Sequence, residues 1–381
     1  MPFEQAARFL AKFTGVVVSE PTSRRQTEKA GKALLEVEDE EAERIKREAP
    51  PVPPGPKKQL VSVDGALIPL LHGQWGEVKT LVIGDIEDPV EERGEWVVHS
   101  THLSYVSRMM SCDLFRWSVL GETHRRGVER AEQVAAVTDG ADWEQGFIDF
   151  HRPDAVRILD FAHAAERVGQ IGQSIWGEGT AEGTSWFEAQ AHCLKHEGPA
   201  KVLAELRARK ELYPGRAILA ENLAYLEKRE GMLQYPRYQA EGLPIGSGTV
   251  ESGNNHVVED RLKGAGMHWA TTHVNPMLAL RNAVCNDRWD DSWDRAAMRL
   301  RVKAASSRPP RPSQNCPEIP SPVSPLTASQ PAPSPAAPVK PDTTRPQAPY
   351  SRHPAPDHPW RRQPLGRARR RPTTRDPGAK T

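Results

Sequence analysis

The order of apolar runs along the chain restricts the fold more than any other feature. Three strand-like runs come first, at QLVSVDGALIPLL (59–71), VKTLVIGDI (78–86) and EWVVHSTHLSYV (95–106). After a helical stretch over roughly 107–130, strand and helix alternate as AEQVAAVTDG, ADWEQGFIDFH, VRILD and FAHAAERVGQIGQSIW. Short connections predict an antiparallel meander for the first three strands, and helical crossovers predict parallel pairing for the last two. We therefore expect an α/β fold with a mixed five-stranded sheet and helices on both faces.

The segments outside these runs differ from them in composition. Residues 2–33 have the pattern of two amphipathic helices around Gly15, with Ser19 as N-cap and Pro21 in the first turn of the second helix. Helical periodicity also runs through residues 178–240. The predicted regions are a partial helix-turn-helix-like region (1–35), a charged and Pro-rich linker (36–58), the first part of the core (59–177), a helical insertion (178–240), the second part of the core (241–303) and a disordered Pro/Arg-rich tail (304–381).

Charge is distributed unevenly along the chain. The formal net charge is +1, yet the last 78 residues hold 13 Lys or Arg against 4 Asp or Glu. The Arg-rich stretch 361–371 in this tail would bind phosphates without sequence preference. Residues 1–303 are therefore acidic overall, and their carboxylates are the first side chains to consider for a functional site.

Composition excludes several classes of protein. No run of 18 apolar residues exists, and the charged start MPFEQAARFLAKF lacks the apolar segment of a secretory signal. The cysteines lie at Cys112, Cys193, Cys285 and Cys316 without CxxC spacing. That spacing fits neither a disulfide framework nor a zinc knuckle, so we expect a cytoplasmic protein without a membrane segment.

Three acidic residues occupy positions that suggest chemistry. Asp64 interrupts an apolar strand, where an unpaired charge is costly, and Gly65 beside it allows close approach of a ligand. Asp139 ends the fourth predicted strand, at the edge where α/β sheets carry functional groups. Glu251 follows the loop PIGSG, on a predicted helix where it shares a sheet-facing stripe with Asn255, Val258 and Leu262. Two of them have an ordinary explanation too: Asp64 could merely cap a bend, and Glu251 could be an acid that stabilises the first turn of its helix.

Two further acids have simpler interpretations. Asp160 ends the fifth predicted strand and rivals Asp139 as the second acid of a site, with His163 three residues on. A helix N-cap accounts for Asp160 equally well, and the same role is expected for Asp142.

Carboxylates that converge without Cys or His select hard cations, so this set predicts Mg²⁺ or Mn²⁺. Two such ions roughly 3.5–4 Å apart activate the attacking oxygen and stabilise the leaving oxygen in phosphodiester cleavage.

Four long motifs occur in an order that resembles one known family. They are VSVDGA, VTDGADWEQGFIDFHRPDAVRILDFAHAAE, PIGSGTVES and RLKGAGMHWATTHVNPMLALRNAVCNDRW. Over about residues 2–290 the chain resembles the ISKra insertion-sequence transposases, which are bacterial DDE enzymes with a ribonuclease H-like core; the predicted element order is also that of ribonuclease H-like folds. The resemblance implies metal-dependent DNA cleavage and strand transfer at terminal inverted repeats, a homodimer or larger synaptic assembly, and a triad of Asp64, Asp139 and Glu251, with Asp160 as the rival second acid. It also implies that an upstream DNA-binding part of the family is missing and that the Pro/Arg tail is foreign to it.

DNA contacts are expected at two places. Arg24, Arg25 and Lys29 lie on the second helix of the N-terminal hairpin, and Arg261, Lys263 and Trp269 follow the Glu251 helix, where Trp269 could stack on a base or belong to the core. Two other functions fit the same residues: a non-catalytic DNA-binding remnant of a transposase, or a ribonuclease H-like nuclease acting on another nucleic acid.

Overall fold

A computed structural model describes residues 2–92 and 94–306, without the side chain of Glu95. The predicted tail lies outside the described residues beyond Ser306. The strands in the described part are β1 (Lys58–Pro69), β2 (Trp75–Ile86), β3 (Val90–Glu92), β4 (Glu95–Val97), β5 (Ser100–Arg108), β6 (Gln133–Thr138) and β7 (Val156–Leu159).

The main sheet has five strands in the order β5-β2-β1-β6-β7. Strands β1, β2 and β5 pair antiparallel, whereas β6 lies parallel to β1 and β7 parallel to β6. This confirms the mixed five-stranded sheet flanked by helices. The third predicted strand is wrong in one respect: its run is split into β4 and β5, and β4 pairs with β3 in a separate ribbon.

The helices account for most of the remaining described chain. They are α1 (Phe3–Thr14), α2 (Glu20–Glu48), α3 (Cys112–Ser118), α4 (Leu120–Arg125), α5 (Asp142–His151), α6 (Phe161–Trp176), α7 (Ala181–His196), α8 (Pro199–Leu212), α9 (Ala217–Lys228), α10 (Tyr235–Ala240), α11 (Gly248–Gly253), α12 (Asp260–Leu262), α13 (Thr271–Cys285) and α14 (Trp289–Ser306). A π-helical turn over Asn254–Glu259 joins α11 to α12. Single 3₁₀ turns lie at Leu71–Gly73, Val128–Arg130 and Glu230–Met232. Among these helices, none combines the length and the apolar character needed to cross a membrane.

Helix α2 is longer than the sequence suggests. Ser19 caps it through the Thr22 N–H, as expected, but the helix continues to Glu48 and so includes most of the predicted linker. The charged segment is helical because Ala42 and Ile45 extend a buried stripe and Glu38 pairs with the buried Arg108. Only the short Pro-rich stretch after it is extended.

Alternate residues of β1 face different apolar layers. Val61 and Val63 pack on one side of the sheet with Phe115 of α3 and Phe147 of α5. On the other side, Leu60 packs with the helical insertion, and further along the strand Ala66 and Ile68 pack with the Glu251 helix and α13. Asp64 lies on this second face between the two apolar clusters, because side chains alternate along a strand.

Candidate metal centre

The register of two parallel strands brings Asp64 and Asp139 together. Pairing of β1 with β6 ends at Val61 and Ala136, and the same register carried three residues further places Asp64 opposite Asp139. Asp139 is the first residue after β6, so it lies at the end of that strand, beside Asp64 of β1. The structure therefore brings together two acids that are separated by 75 positions in sequence.

Glu144 is a third acid at this position, and the sequence reasoning missed it. Carboxylate oxygens of Asp64, Asp139 and Glu144 all lie within 4.8 Å of one another, which makes the three a group that could hold a metal ion. Glu144 is only 1% exposed and accepts hydrogen bonds from the backbone N–H groups of Gly140 (3.0 Å) and Ala141 (3.1 Å). In sequence, a Glu three residues into a helix indicates an ordinary helix start, which hides its position beside two aspartates.

The loop between Asp139 and α5 depends on Gly140. This residue has φ +84°, a left-handed conformation that glycine adopts at little cost. The turn lets the Ala141 N–H donate both to Asp139 (2.9 Å) and to Glu144. One backbone group thus orients two of the three carboxylates.

Burial and mutual repulsion alter the protonation of the acids. Burial raises the pKa of Asp64, hydrogen bonds from Gly65 and Asn254 oppose the shift, and the charges of Asp139 and Glu251 add to it. Burial raises the pKa of Glu144 to about 10, with further contributions from a hydrogen bond to Asp139 and from the Asp139 and Asp64 charges. Glu144 is therefore protonated at neutral pH, since three carboxylates this close cannot all ionise without a counter-ion.

Glu251 lies at the rim of this group. Its side chain is exposed, accepts a hydrogen bond from Ser247 Oγ (3.2 Å) and is near enough to Asp64 to raise the pKa of that residue. It does not belong to the compact set of three. The structure therefore places the predicted third acid beside the cluster, and Glu144 within it.

The residue of the Glu251 helix that reaches Asp64 is Asn254. Its Nδ2 donates to Asp64 Oδ2 at 2.7 Å, and the residue is 5% exposed. The predicted stripe was wrong at Glu251 and Asn255, which are both exposed, because the buried face of this segment runs through Val250, Asn254 and Val257 instead. Val258 and Leu262 are buried as expected.

Asp160 has a different role from Asp139. Its Oδ1 accepts from the His163 N–H (2.6 Å), which caps α6, and its Oδ2 accepts from the Ser247 N–H (2.5 Å). Phe161 N–H also donates to the Ile245 carbonyl at 2.9 Å. Asp160 thus anchors the PIGSG loop through Ser247, which in turn contacts Glu251.

Asp142 is not the predicted N-cap. It is the first residue of α5, after the cap at Ala141, and it pairs with Lys228 at 2.8 Å.

Tyr225 of α9 and Arg229, the residue after this helix, form hydrogen bonds with the loop that carries Asp139 and Gly140. Tyr225 Oη donates to the Asp139 carbonyl, and the Arg229 guanidinium donates twice to the Gly140 carbonyl (2.9 and 2.6 Å). Two guanidinium groups lie over the Tyr225 ring, with Cζ of Arg229 at 3.7 Å and Cζ of Arg167 at 4.6 Å from the ring centroid. No local sequence signal marks these contacts, since they join residues about 90 positions apart.

The predicted DNA-contact residues are divided between surface and interior. Arg24, Arg25 and Lys29 are exposed on α2, whereas Lys263 pairs with Glu259. Trp269 is 8% exposed and donates its Nε1–H to the Leu262 carbonyl (3.1 Å), so its ring belongs to the core and is not open to a base. Arg261 is also buried, at 9% exposure.

The donor set of the cluster consists of oxygen atoms only, which suits Mg²⁺ or Mn²⁺ rather than a softer metal. In comparisons with known proteins, no family model and no curated protein matches this chain.

Proposed function

We propose that this protein is a DDE transposase of the ISKra type, which cuts DNA and transfers strands at the ends of a mobile element. The observation that carries the proposal is the convergence of Asp64 and Asp139 on neighbouring parallel strands, with Glu251 approaching from a helix that follows a long insertion. The sheet order, with three antiparallel strands followed by two parallel ones, supports a ribonuclease H-like core.

Asp64 and Asp139 would hold divalent ions, with Glu144 in the same compact group and Glu251 at its rim. Bound ions would supply Lewis-acid activation of the attacking hydroxyl or water and stabilisation of the leaving oxygen. The protein's own part is positioning: Asn254 orients Asp64, Ala141 N–H orients Asp139, and Asp160 fixes the loop before Glu251. Glu144 holds a proton that an ion would displace, which keeps the cluster stable before metal binds.

The test is a cleavage and strand-transfer assay with DNA carrying the element's terminal repeats and Mg²⁺ or Mn²⁺. Asp64→Asn, Asp139→Asn and Glu251→Gln should each lower the rate by about 1,000-fold or more, because several kcal/mol of transition-state stabilisation is lost. Asp142→Asn, an exposed acid in the same loop region, is the matched control and should retain activity. Full activity in both aspartate variants would refute the proposal.

A ribonuclease H-like nuclease is the second candidate, because Asp64, Asp139 and Glu144 form a compact group without Glu251. In that case Glu144→Gln would abolish cleavage, Glu251→Gln would not, and no joined DNA product would form. A non-catalytic remnant would bind the terminal repeats without cutting under Mn²⁺. DNA is the proposed partner of the transposase and of the remnant, whereas the nuclease would act on another nucleic acid. A homodimer or larger assembly is proposed for synapsis of two DNA ends.

A further inference from the structure

Arg261 is a buried cation without a partner. It lies on α12, is 9% exposed, and forms no hydrogen bond or ion pair with any residue of the described part of the chain. Arginine is rarely buried unless it is paired, because the desolvation of the charge must be offset. Burial, and less strongly the nearby charge of Arg281, lower the pKa of Arg261.

The Arg261 guanidinium lies over two aromatic rings. The Phe3 ring and the Trp269 ring each have their centroid 5.0 Å from the Arg261 carbon Cζ. Cation–π contacts stabilise the charge through the flat faces but use none of the N–H donors, which point outward in the plane. The N–H donors of the guanidinium are therefore the groups left for a ligand.

A cleft of about 510 Å³ opens at this position. Its lining includes Phe3, Arg24, Leu71, Arg261, His268 and Trp269. Glu4, Glu20 and Glu28 lie on its wall as well, but Glu28 pairs with His273 (3.1 Å) and Arg24 (3.9 Å), and none of the three pairs with Arg261. The cleft thus presents a planar donor fork that matches two oxygen atoms of one anion.

We propose that this cleft is a subsite for a backbone phosphate of DNA, held by the free edge of Arg261. The choice of a phosphodiester rests on the proposed function, whereas the anion site rests on Arg261 and its two rings. Leu71 at the cleft follows Asp64 by seven residues, or at most about 23 Å at roughly 3.3 Å per strand residue. On a duplex with about 3.4 Å between phosphates of one strand, the contacted phosphate lies at most about seven base pairs from the cut.

The test measures binding of a fluorescently labelled 30-base-pair terminal-repeat duplex to the full chain in EDTA, so that the acidic cluster plays no part. Arg261→Met should raise Kd five- to tenfold and lower the slope of log K against log salt by about 0.9, the value for one phosphate contact. Arg261→Lys, which keeps the charge but not the fork, should raise Kd about threefold. Lys201→Met removes one charge from the exposed face of the helical insertion and should leave Kd and slope unchanged. An unchanged Kd and slope in a folded Arg261→Met variant would overturn the proposal.

Two further measurements keep the proposal testable if Arg261→Met does not fold. Glu4→Gln removes an exposed negative charge from the cleft wall and should tighten DNA binding two- to threefold; an unchanged Kd would contradict the subsite. Inorganic phosphate should shift the Arg261 Nε–H resonance, and excess DNA should compete with it. Phosphate binding that DNA does not displace would mean a free-anion site and would refute the phosphodiester assignment. Failure of the proposed transposase would show separately, as absence of Mg²⁺-dependent cleavage by the unaltered protein.

Discussion

Replacing Arg229 with methionine removes the main external support of the acidic loop while leaving every carboxylate in place. The Arg229 side chain is 10% exposed, donates two hydrogen bonds to the Gly140 carbonyl, and stacks on Tyr225 at 3.7 Å. Charged hydrogen bonds contribute about 1.5–3 kcal/mol each and a partly desolvated cation–π contact about 1–2 kcal/mol, with overlap between them. We expect a loss of about 3 kcal/mol in unfolding free energy.

The same change should weaken metal binding. Residues that orient metal ligands typically contribute about 10- to 100-fold to affinity when mutated. We therefore expect the Mn²⁺ dissociation constant of Arg229→Met, measured by calorimetry, to rise by about that factor. Arg207→Met, which removes an exposed arginine paired with Glu227, is the control and should bind Mn²⁺ normally. A lower Tm with unchanged Mn²⁺ affinity would show that Arg229 supports the fold and not the site.

Three other predictions follow from the same structure. Asp139→Asn should lower Mn²⁺ affinity at least about tenfold. Asp160→Asn should change Mn²⁺ affinity by less than about threefold and lower the free energy of unfolding by about 1–2 kcal/mol, because Asp160 caps α6 and accepts a hydrogen bond from Ser247. Equal effects of the two variants on Mn²⁺ affinity would contradict the assignment of Asp139, and not Asp160, to the metal site. Gly140→Ala should destabilise the protein by about 1–3 kcal/mol in urea unfolding, because φ is +84° and the new Cβ would lie 2.6 Å from Arg229 Nε; wild-type stability would contradict the observed turn. Burial of the unpartnered His151 Nε2 lowers the pKa of that residue from 6.5 to about 4. Between pH 6.5 and 4 the unfolded chain therefore binds a proton that the folded protein does not bind, and the free energy of unfolding falls by about 3 kcal/mol as the pH falls through this range. His151→Phe should flatten this part of the plot of urea midpoint against pH, and an unchanged plot would refute the burial argument.

The strands of the sheet, apart from the split in the third run, were predictable because their signals are local. Apolar runs with period two and short connections are sufficient to predict the antiparallel meander and the two parallel strands after it. The same logic located Asp64 and Asp139, since each is a charge in or at the end of an apolar strand. Their proximity then follows from the register of β1 and β6.

The rest of the site depends on features that single-sequence patterns do not carry. Glu144 has the spacing of a helix-start residue, and only the turn at Gly140 shows that it faces the aspartates. Asn254, and not Asn255, faces the sheet and contacts Asp64, and two adjacent asparagines give no local signal of which one is buried. In α2, dense charge concealed a buried stripe, so a helix was mistaken for a linker.

The hydrogen bonds from Arg229 to the Gly140 carbonyl form only after a long further stretch of chain has been synthesised. Arg229 follows Asp139 by 90 residues, which a ribosome adds in roughly 5 to 20 s at about 5–20 residues per second. During that interval the nascent chain carries the two aspartates without the helix that steadies their loop. Any nuclease chemistry of this centre would therefore be withheld from nearby nucleic acid until Arg229 has been synthesised and has packed against the loop.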